Sequence, residues 1–337
     1  MIDFELFKLL LVDSSMGDYR NIVDNIKLYI DKNISADVII DEYEKNKFNM
    51  IIKRGEPKFL VNCHLDTVLP LDGWETNPFE PIIVENKIYG LGTSDTKGNI
   101  YSVLKAFESI LPDNMMILLS FDEEIGTEVS GVKYFLESDF ARQIEYAIVC
   151  EPTENELVYK HKGYYSFEIK TFGESGHSSA SNLFDNAIVK AAEIIPNLAK
   201  NGFNVGKIEG GKGGNIISDE CVARVSIRSY EDFNFVMNKL KYIISNKLKI
   251  NDFIINKRFV GDAFVNPEYQ NFPFLGGRDF KEVGFWTEAA LFQKKGIKSI
   301  VYGAGSIEQA HKKNEFVLIE QIEKAVSFFE DFFRKFK

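Results

Sequence analysis

The chain has 337 residues, 45% hydrophobic and 27% charged, with a net charge of −10. That length allows a large core and about two domains, and the acidic balance argues against nucleic acid or an anionic membrane as partner. No apolar run approaches the roughly 20 residues of a membrane span.

The N-terminal stretch reads as an amphipathic helix: two acids precede its apolar patch, where a signal peptide would carry bases. A second helical stretch runs from about Tyr19 to Lys32, and Asp37 to Ile52 alternates like a hairpin. Lys58 to Cys63 is a short buried strand, followed at once by His64-Leu-Asp66. Ile82 to Ile88 reads as another short strand. The turn Tyr89-Gly-Leu-Gly-Thr-Ser-Asp95-Thr-Lys-Gly98 follows, then a helical pattern from Asn99 to Leu111. Asp95 is readable as a helix cap or as a carboxylate bridging two metal ions. Met115 to Phe121 is a buried strand running into Asp122-Glu123-Glu124-Ile-Gly126; residues from Gly131 to Ser138 look helical, and Tyr146 to Cys150 is a buried strand ending at Glu151-Pro-Thr. Lys298 to Tyr302 is a fourth such strand, leading through Gly303-Ala-Gly305 to His311, and a helix from about Leu318 to Lys335 closes the chain.

Between about Lys160 and Phe264 the texture changes to half-exposed strands (Tyr164 to Thr171, Phe203 to Glu209, Cys221 to Arg228, Phe253 to Val260) and two helices (Phe184 to Lys200, Asp232 to Lys247). The expected fold is α/β: a mixed, largely parallel-sheet catalytic domain, residues 1–160 and 267–337, interrupted by a smaller α+β lid or dimerisation domain, residues 161–266. Cys63, Cys150 and Cys221 form no CxxC pair, which points to a reducing compartment, the cytoplasm.

Four apolar strands each end in polar groups: His64, Glu123 with Glu124, Glu151 and, a loop later, His311. Ligands of open α/β sheets bind at the carboxyl ends of strands. Either histidine alone is equally readable as a hydrogen-bonded structural residue. With Asp95 the set holds two imidazoles and three carboxylates, suited to a pair of divalent ions, which polarise a carbonyl and acidify water. Asp66, two residues after His64, is placed to hold its imidazole. Adjacent acids at Glu123 and Glu124 repel unless metal charge offsets them, one ligating and its neighbour taking a proton from water.

These residues, in this order, resemble the metallopeptidase family of acetylornithine deacetylase, succinyl-diaminopimelate desuccinylase, the bacterial glutamate carboxypeptidases and the aminoacylases. The pieces are His64-Leu-Asp66-Thr-Val, the Tyr89–Gly98 turn, Asp122-Glu-Glu124-Ile-Gly, Glu151-Pro-Thr, Gly176-His177-Ser and Ala310-His311. The resemblance implies two zinc ions, with cobalt or manganese as alternatives. Asp95 would bridge both, His64 and Glu151 would complete one position, and Glu124 and His311 the other. Glu123 would be the general base and then the acid to the leaving amine, and the Asp95–Thr96 peptide would be cis. His177 would steady the oxyanion, while Arg228 and Asn215 would hold a substrate carboxylate. Trp286-Thr-Glu288-Ala289 is most like the acetylornithine deacetylases, with Glu288 placed to receive a cationic side chain. The expected activity is deacetylation of a small N-acyl amino acid by a homodimer formed through the inserted domain. The alternatives are a dipeptidase or aminopeptidase, or a deacylase for acetyl-lysine, acetyl-citrulline or succinyl-diaminopimelate.

Overall fold

A computed structural model of the chain describes residues 2–15, 19–124 and 130–337; the Ile125-Gly126 end of the acidic motif lies outside them. Two compact units are present. The first runs to Lys160 and resumes over Val265–Glu282 and Thr287–Lys337; the second is His161–Phe264 with Val283–Trp286. Val265 and Asn266 therefore stay with the first unit, while Val283–Trp286 joins the second.

The first unit is built on four neighbouring parallel strands in the order Met115–Ser120, Phe59–His64, Tyr146–Val149, Lys298–Val301. Their side chains alternate between two buried faces. Val61, Cys63, Ile117, Leu119, Ile148 and Ile300 pack in one core with the helices Gly98–Ile110 and Ile319–Phe333. The intervening Leu60, Met116, Leu118, Ala147 and Val149 are also sealed. The helix Ala289–Lys294 packs against the strands Lys298–Val301 and Tyr146–Val149. Burial on both faces explains why these strands are continuous apolar runs. The hairpin Asp37–Glu44 and Lys47–Arg54 extends the sheet antiparallel to Met115–Ser120.

One expected strand is in fact two. Ile82–Val84 and Lys87–Tyr89 form a tight hairpin, with Glu85 at φ +55°. Phe316–Leu318 pairs with its second strand, Phe316 opposite Tyr89. That pairing fixes the approach to the Gly-rich turn.

The second unit is a four-stranded antiparallel sheet in the order Asn204–Gly210, Glu220–Ser229, Gly163–Phe172, Phe253–Gly261. Tyr165, Phe167, Ile169, Ala223, Val225 and Ile227 alternate onto a single buried face. The helices Ala187–Lys200 and Phe233–Lys241 cover that face with Ile194, Leu198, Val236 and Leu240. The opposite face carries charge: Glu168 lies between Arg224 and Arg258, 3.6 Å from each. A one-sided core of this kind produces the strict alternation of its strands.

Candidate metal centre

The four parallel strands deliver their C-terminal residues to one edge. His64 is the last residue of its strand and only 2% exposed. Its Nδ1 lies 3.0 Å from the main-chain oxygen of Asp66. A carbonyl only accepts, so Nδ1 carries the proton and Nε2 points the other way. Nε2 stands 3.0 Å from Oδ1 of Asp95. Asp66 thus holds His64 through its carbonyl. Its carboxylate is 3.7 Å from the ring and accepts instead from the amide of Glu124 at 3.0 Å. The expected carboxylate clasp is corrected accordingly: the chain turns directly after His64, bringing the carbonyl closer than the side chain.

Asp95 does not cap its helix. The residue preceding Gly98–Ile110 is Lys97, which makes no side-chain cap bond. The Asp95–Thr96 peptide is cis. Asp95 Oδ1 faces His64, and Oδ2 lies 3.7 Å from Nε2 of His311. His311 Nε2 also sits 2.9 Å from Oε2 of Glu124. His64, Asp95 and Glu151 offer ligand atoms all within 4.8 Å of one another, as do Asp95, Glu124 and His311, and also His64, Glu123 and Glu124. Asp95 belongs to both of the first two groups.

The buried charges of the cluster act on one another. Burial pushes the carboxyls of Glu123 and Glu151 well above the usual range, and the charge of Asp95 adds to the rise in both. Glu124 is raised by burial and by Asp95, against the pull of His311. Burial alone would lower the His64 imidazole, yet the Asp95 bond and the surrounding acids raise it well above its ordinary value. The hydrogen bond to Glu124 lifts His311 to about 9. Buried acceptors facing imidazole lone pairs need a proton or a cation between them. A donor set of imidazole nitrogens and carboxylate oxygens around one shared carboxylate fits two divalent cations.

Close main-chain approaches hold this geometry. A Cβ on Gly305, at φ +92°, would stand 2.5 Å from Ser94 Oγ. A Cβ on Gly303 would stand 2.5 Å from the Glu151 carbonyl. Only glycine lets the loop before His311 press against both ligand-bearing turns.

Three residues outside the ligand groups complete the support. Asn99 bonds Thr96 Oγ1 and exchanges two bonds with the main chain of Ala304. Asp122 turns away from its acidic neighbours, at φ +68°, and meets Lys47 at 2.8 Å and the hydroxyls of Tyr19 and Tyr43. Glu315 accepts amides from the Asp95 turn. A lone acid before the apolar run Phe316–Leu318 was its only sequence signal.

Glu288 is not a loop acid open to a ligand. It is 2% exposed, 3.4 Å from Ser120 Oγ, and burial pushes its carboxyl up to about 8. It sits inside the fold because the helix it precedes packs against the sheet. Cys63 and Cys150 belong to the hydrophobic core and to none of the ligand groups. In the second unit, His177 and Asn215 are brought together: Ser178 N donates to the Asn215 carbonyl at 3.0 Å, and His177 bridges Ile216. The His177 ring is exposed, 2.8 Å from Ser179 Oγ. Arg228 lies on the exposed sheet face, its guanidinium 4.1 Å from the Tyr164 ring centre.

A mixed, largely parallel sheet that gathers imidazole and carboxylate donors at its strand ends is the frame of a metal-dependent hydrolase. Comparison with known proteins agrees. The peptidase dimerisation domain of the M20 family matches residues 159–252. The acetylornithine deacetylase of Pectobacterium carotovorum is 33% identical over 312 residues, covering 81% of this chain and 79% of that protein. A tripeptidase from Staphylococcus aureus superposes with a TM-score of 0.82 at 19% identity, covering 98% of this chain and 96% of that one. The Bacillus subtilis YXEP protein, a dinuclear metal-binding M20 peptidase, gives 0.73 at 13% identity, covering 98% and 96%. The chain belongs to the M20 metallopeptidase family.

Proposed function

We propose that this enzyme removes the acetyl group from an N-acetyl amino acid, in the manner of an acetylornithine deacetylase. The observation that carries the reading is Asp95, whose two oxygens face His64 and His311 separately, joined to 33% identity with an acetylornithine deacetylase. His64, Asp95 and Glu151 would hold one divalent cation, and Asp95, Glu124 and His311 the second. We assign zinc, which imidazole and carboxylate ligands suit, with cobalt and manganese as the alternatives to test. Bound there, the pair supplies Lewis acidity and a water acidified towards neutral pH.

Glu123 is the proton carrier. It is grouped with His64 and Glu124 and its carboxyl is raised by burial, the direction that suits a base which takes and then returns a proton. It accepts the proton of the attacking water. The oxygen adds to the acetyl carbonyl carbon, the C–N bond breaks, and Glu123 returns the proton to the departing amine. Asp66 holds the Glu124 amide and, through its carbonyl, the His64 tautomer. We assign His177 to the carbonyl oxygen and Asn215 and Arg228 to the substrate carboxylate, on their matching motifs. The match to a dimerisation domain supports a homodimer. No helix among the described residues is long and apolar enough to cross a membrane, and three free cysteines support a cytoplasmic setting.

The test is a substrate screen with zinc, cobalt or manganese. It pits the N-acetyl derivatives of ornithine, lysine and citrulline, and succinyl-diaminopimelate, against free di- and tripeptides, reading released acetate against released amino acid. Turnover of free-amine peptides with none of the acetylated amino acids would overturn the deacetylase reading.

A further inference from the structure

One buried acid outside the ligand set binds the turn that presents Asp95. Glu315 is 2% exposed. Its Oε2 accepts from the amide of Gly92 at 2.8 Å, and its Oε1 from the amides of Ser94 at 2.8 Å and of Asp95 at 3.0 Å. Its own carbonyl accepts from Gly90 N at 3.0 Å. Four main-chain amides of one six-residue stretch therefore end on a single residue. Amides converging on a carboxylate form an anion-binding nest; burial and the charge of Asp95 push this carboxyl up to about 8, and the three amide bonds pull it back towards its charged form.

The arrangement has two consequences. The amide of Asp95 is engaged behind the side chain, which leaves the carboxylate oxygens directed at His64 and His311. Glu315 is itself anchored, because Phe316 pairs with Tyr89 in the small antiparallel sheet. His311 stands only four residues before Glu315. One short segment thus supplies a ligand with its side chain and orients the shared ligand with another.

We propose that Glu315 is the positioning residue of the metal centre: by binding the amides of Gly92, Ser94 and Asp95 it holds the backbone from which Asp95 reaches both cation positions. This rests on the two-cation reading of the site. Loss of the carboxylate then weakens cation binding while leaving substrate affinity alone, since both Glu315 oxygens are taken up by backbone amides and the residue belongs to none of the ligand groups.

The experiment compares the wild-type chain with Glu315→Gln and Glu315→Asp. Each is stripped with chelator and titrated with zinc by calorimetry, with stoichiometry checked by elemental analysis. Circular dichroism confirms folding, and kcat and KM are measured at saturating zinc. In Glu315→Gln the amide nitrogen, itself a donor, must face a backbone N–H whichever way the amide is turned. Its zinc affinity should fall about 10- to 100-fold, the usual cost of losing an outer hydrogen-bond partner, with KM unchanged. Glu315→Asp, shorter but still a carboxyl, should recover part of the loss. If wild type binds two zinc ions and folded Glu315→Gln binds two as tightly, the positioning role is overturned alone. If wild type binds fewer than two, the two-cation reading falls and this proposal with it. A Glu315→Gln chain that melts earlier but keeps wild-type zinc affinity also overturns it, marking the residue as structural only.

Discussion

The two units hold most of their candidate site residues under different conditions, although His311 of the first is exposed. At the strand ends of the first, His64, Asp95 and Glu151 are nearly sealed, and the backbone around them is tied by Asn99, Glu315 and Asp66. In the second, His177, Asn215 and Arg228 stand exposed on loops and on one strand face. The contrast follows from the charge each must handle. Several carboxylates packed together raise one another's proton affinity, so they stay in register only where the main chain leaves no alternative position. The roles proposed for His177, Asn215 and Arg228 would require solvent access, which their exposure provides.

Replacing the proposed proton carrier beside the sealed cluster should give the largest effect. Glu123→Ala should lower kcat by about 10²- to 10⁴-fold while two zinc ions still bind; near-normal turnover would remove Glu123 from the mechanism. His177→Ala tests the exposed region, with an expected loss of about 10²- to 10³-fold in kcat if it stabilises the oxyanion. Unchanged kcat would leave the chemistry to the first unit alone. Arg228→Ala should raise KM about 10- to 100-fold with kcat kept, the scale of a charge-assisted bond to a carboxylate. Equal turnover of substrates with and without a free carboxylate in wild type would end that assignment.

Stability offers a finer comparison. Glu288 is raised from 4.5 to about 8 by burial. The folded chain therefore keeps a proton that the unfolded chain releases. The associated stability is fully present below about 4.5 and is lost as pH rises through about 8. Metal-stripped wild type should melt several degrees lower at pH 8.5 than at pH 5.5. Glu288→Gln, neutral throughout, should lose less over that range, and superimposable profiles would show that Glu288 does not titrate there. The smallest effect is expected at Asp122→Asn. Weakening its contacts with Lys47, Tyr19 and Tyr43 should cost roughly 1–3 kcal/mol, a few degrees in Tm, with zinc stoichiometry unchanged. Loss of an ion instead would show that Asp122 orients the acidic turn.

The sequence by itself determined the strand-then-ligand pattern. Strands buried on both faces read as unbroken apolar runs, and the polar residue after each run is local information: His64, Glu123, Glu124 and Glu151 are visible this way, as is the alternation of Gly163–Phe172. Tertiary structure alone decided what depends on distant main-chain partners. Glu315 meets the Asp95 amide across 220 residues of sequence, and such a bond leaves no periodic trace. It decided that Asp66 holds His64 by its carbonyl, because the chain turns there, and that Asp122 faces Lys47 rather than its acidic neighbours, because its backbone is left-handed. It decided that Glu288 is sealed, because a helix packs over it. Residue type and order mark which atoms carry charge; where each charge points is set by the backbone, and the backbone is set by contacts far along the chain.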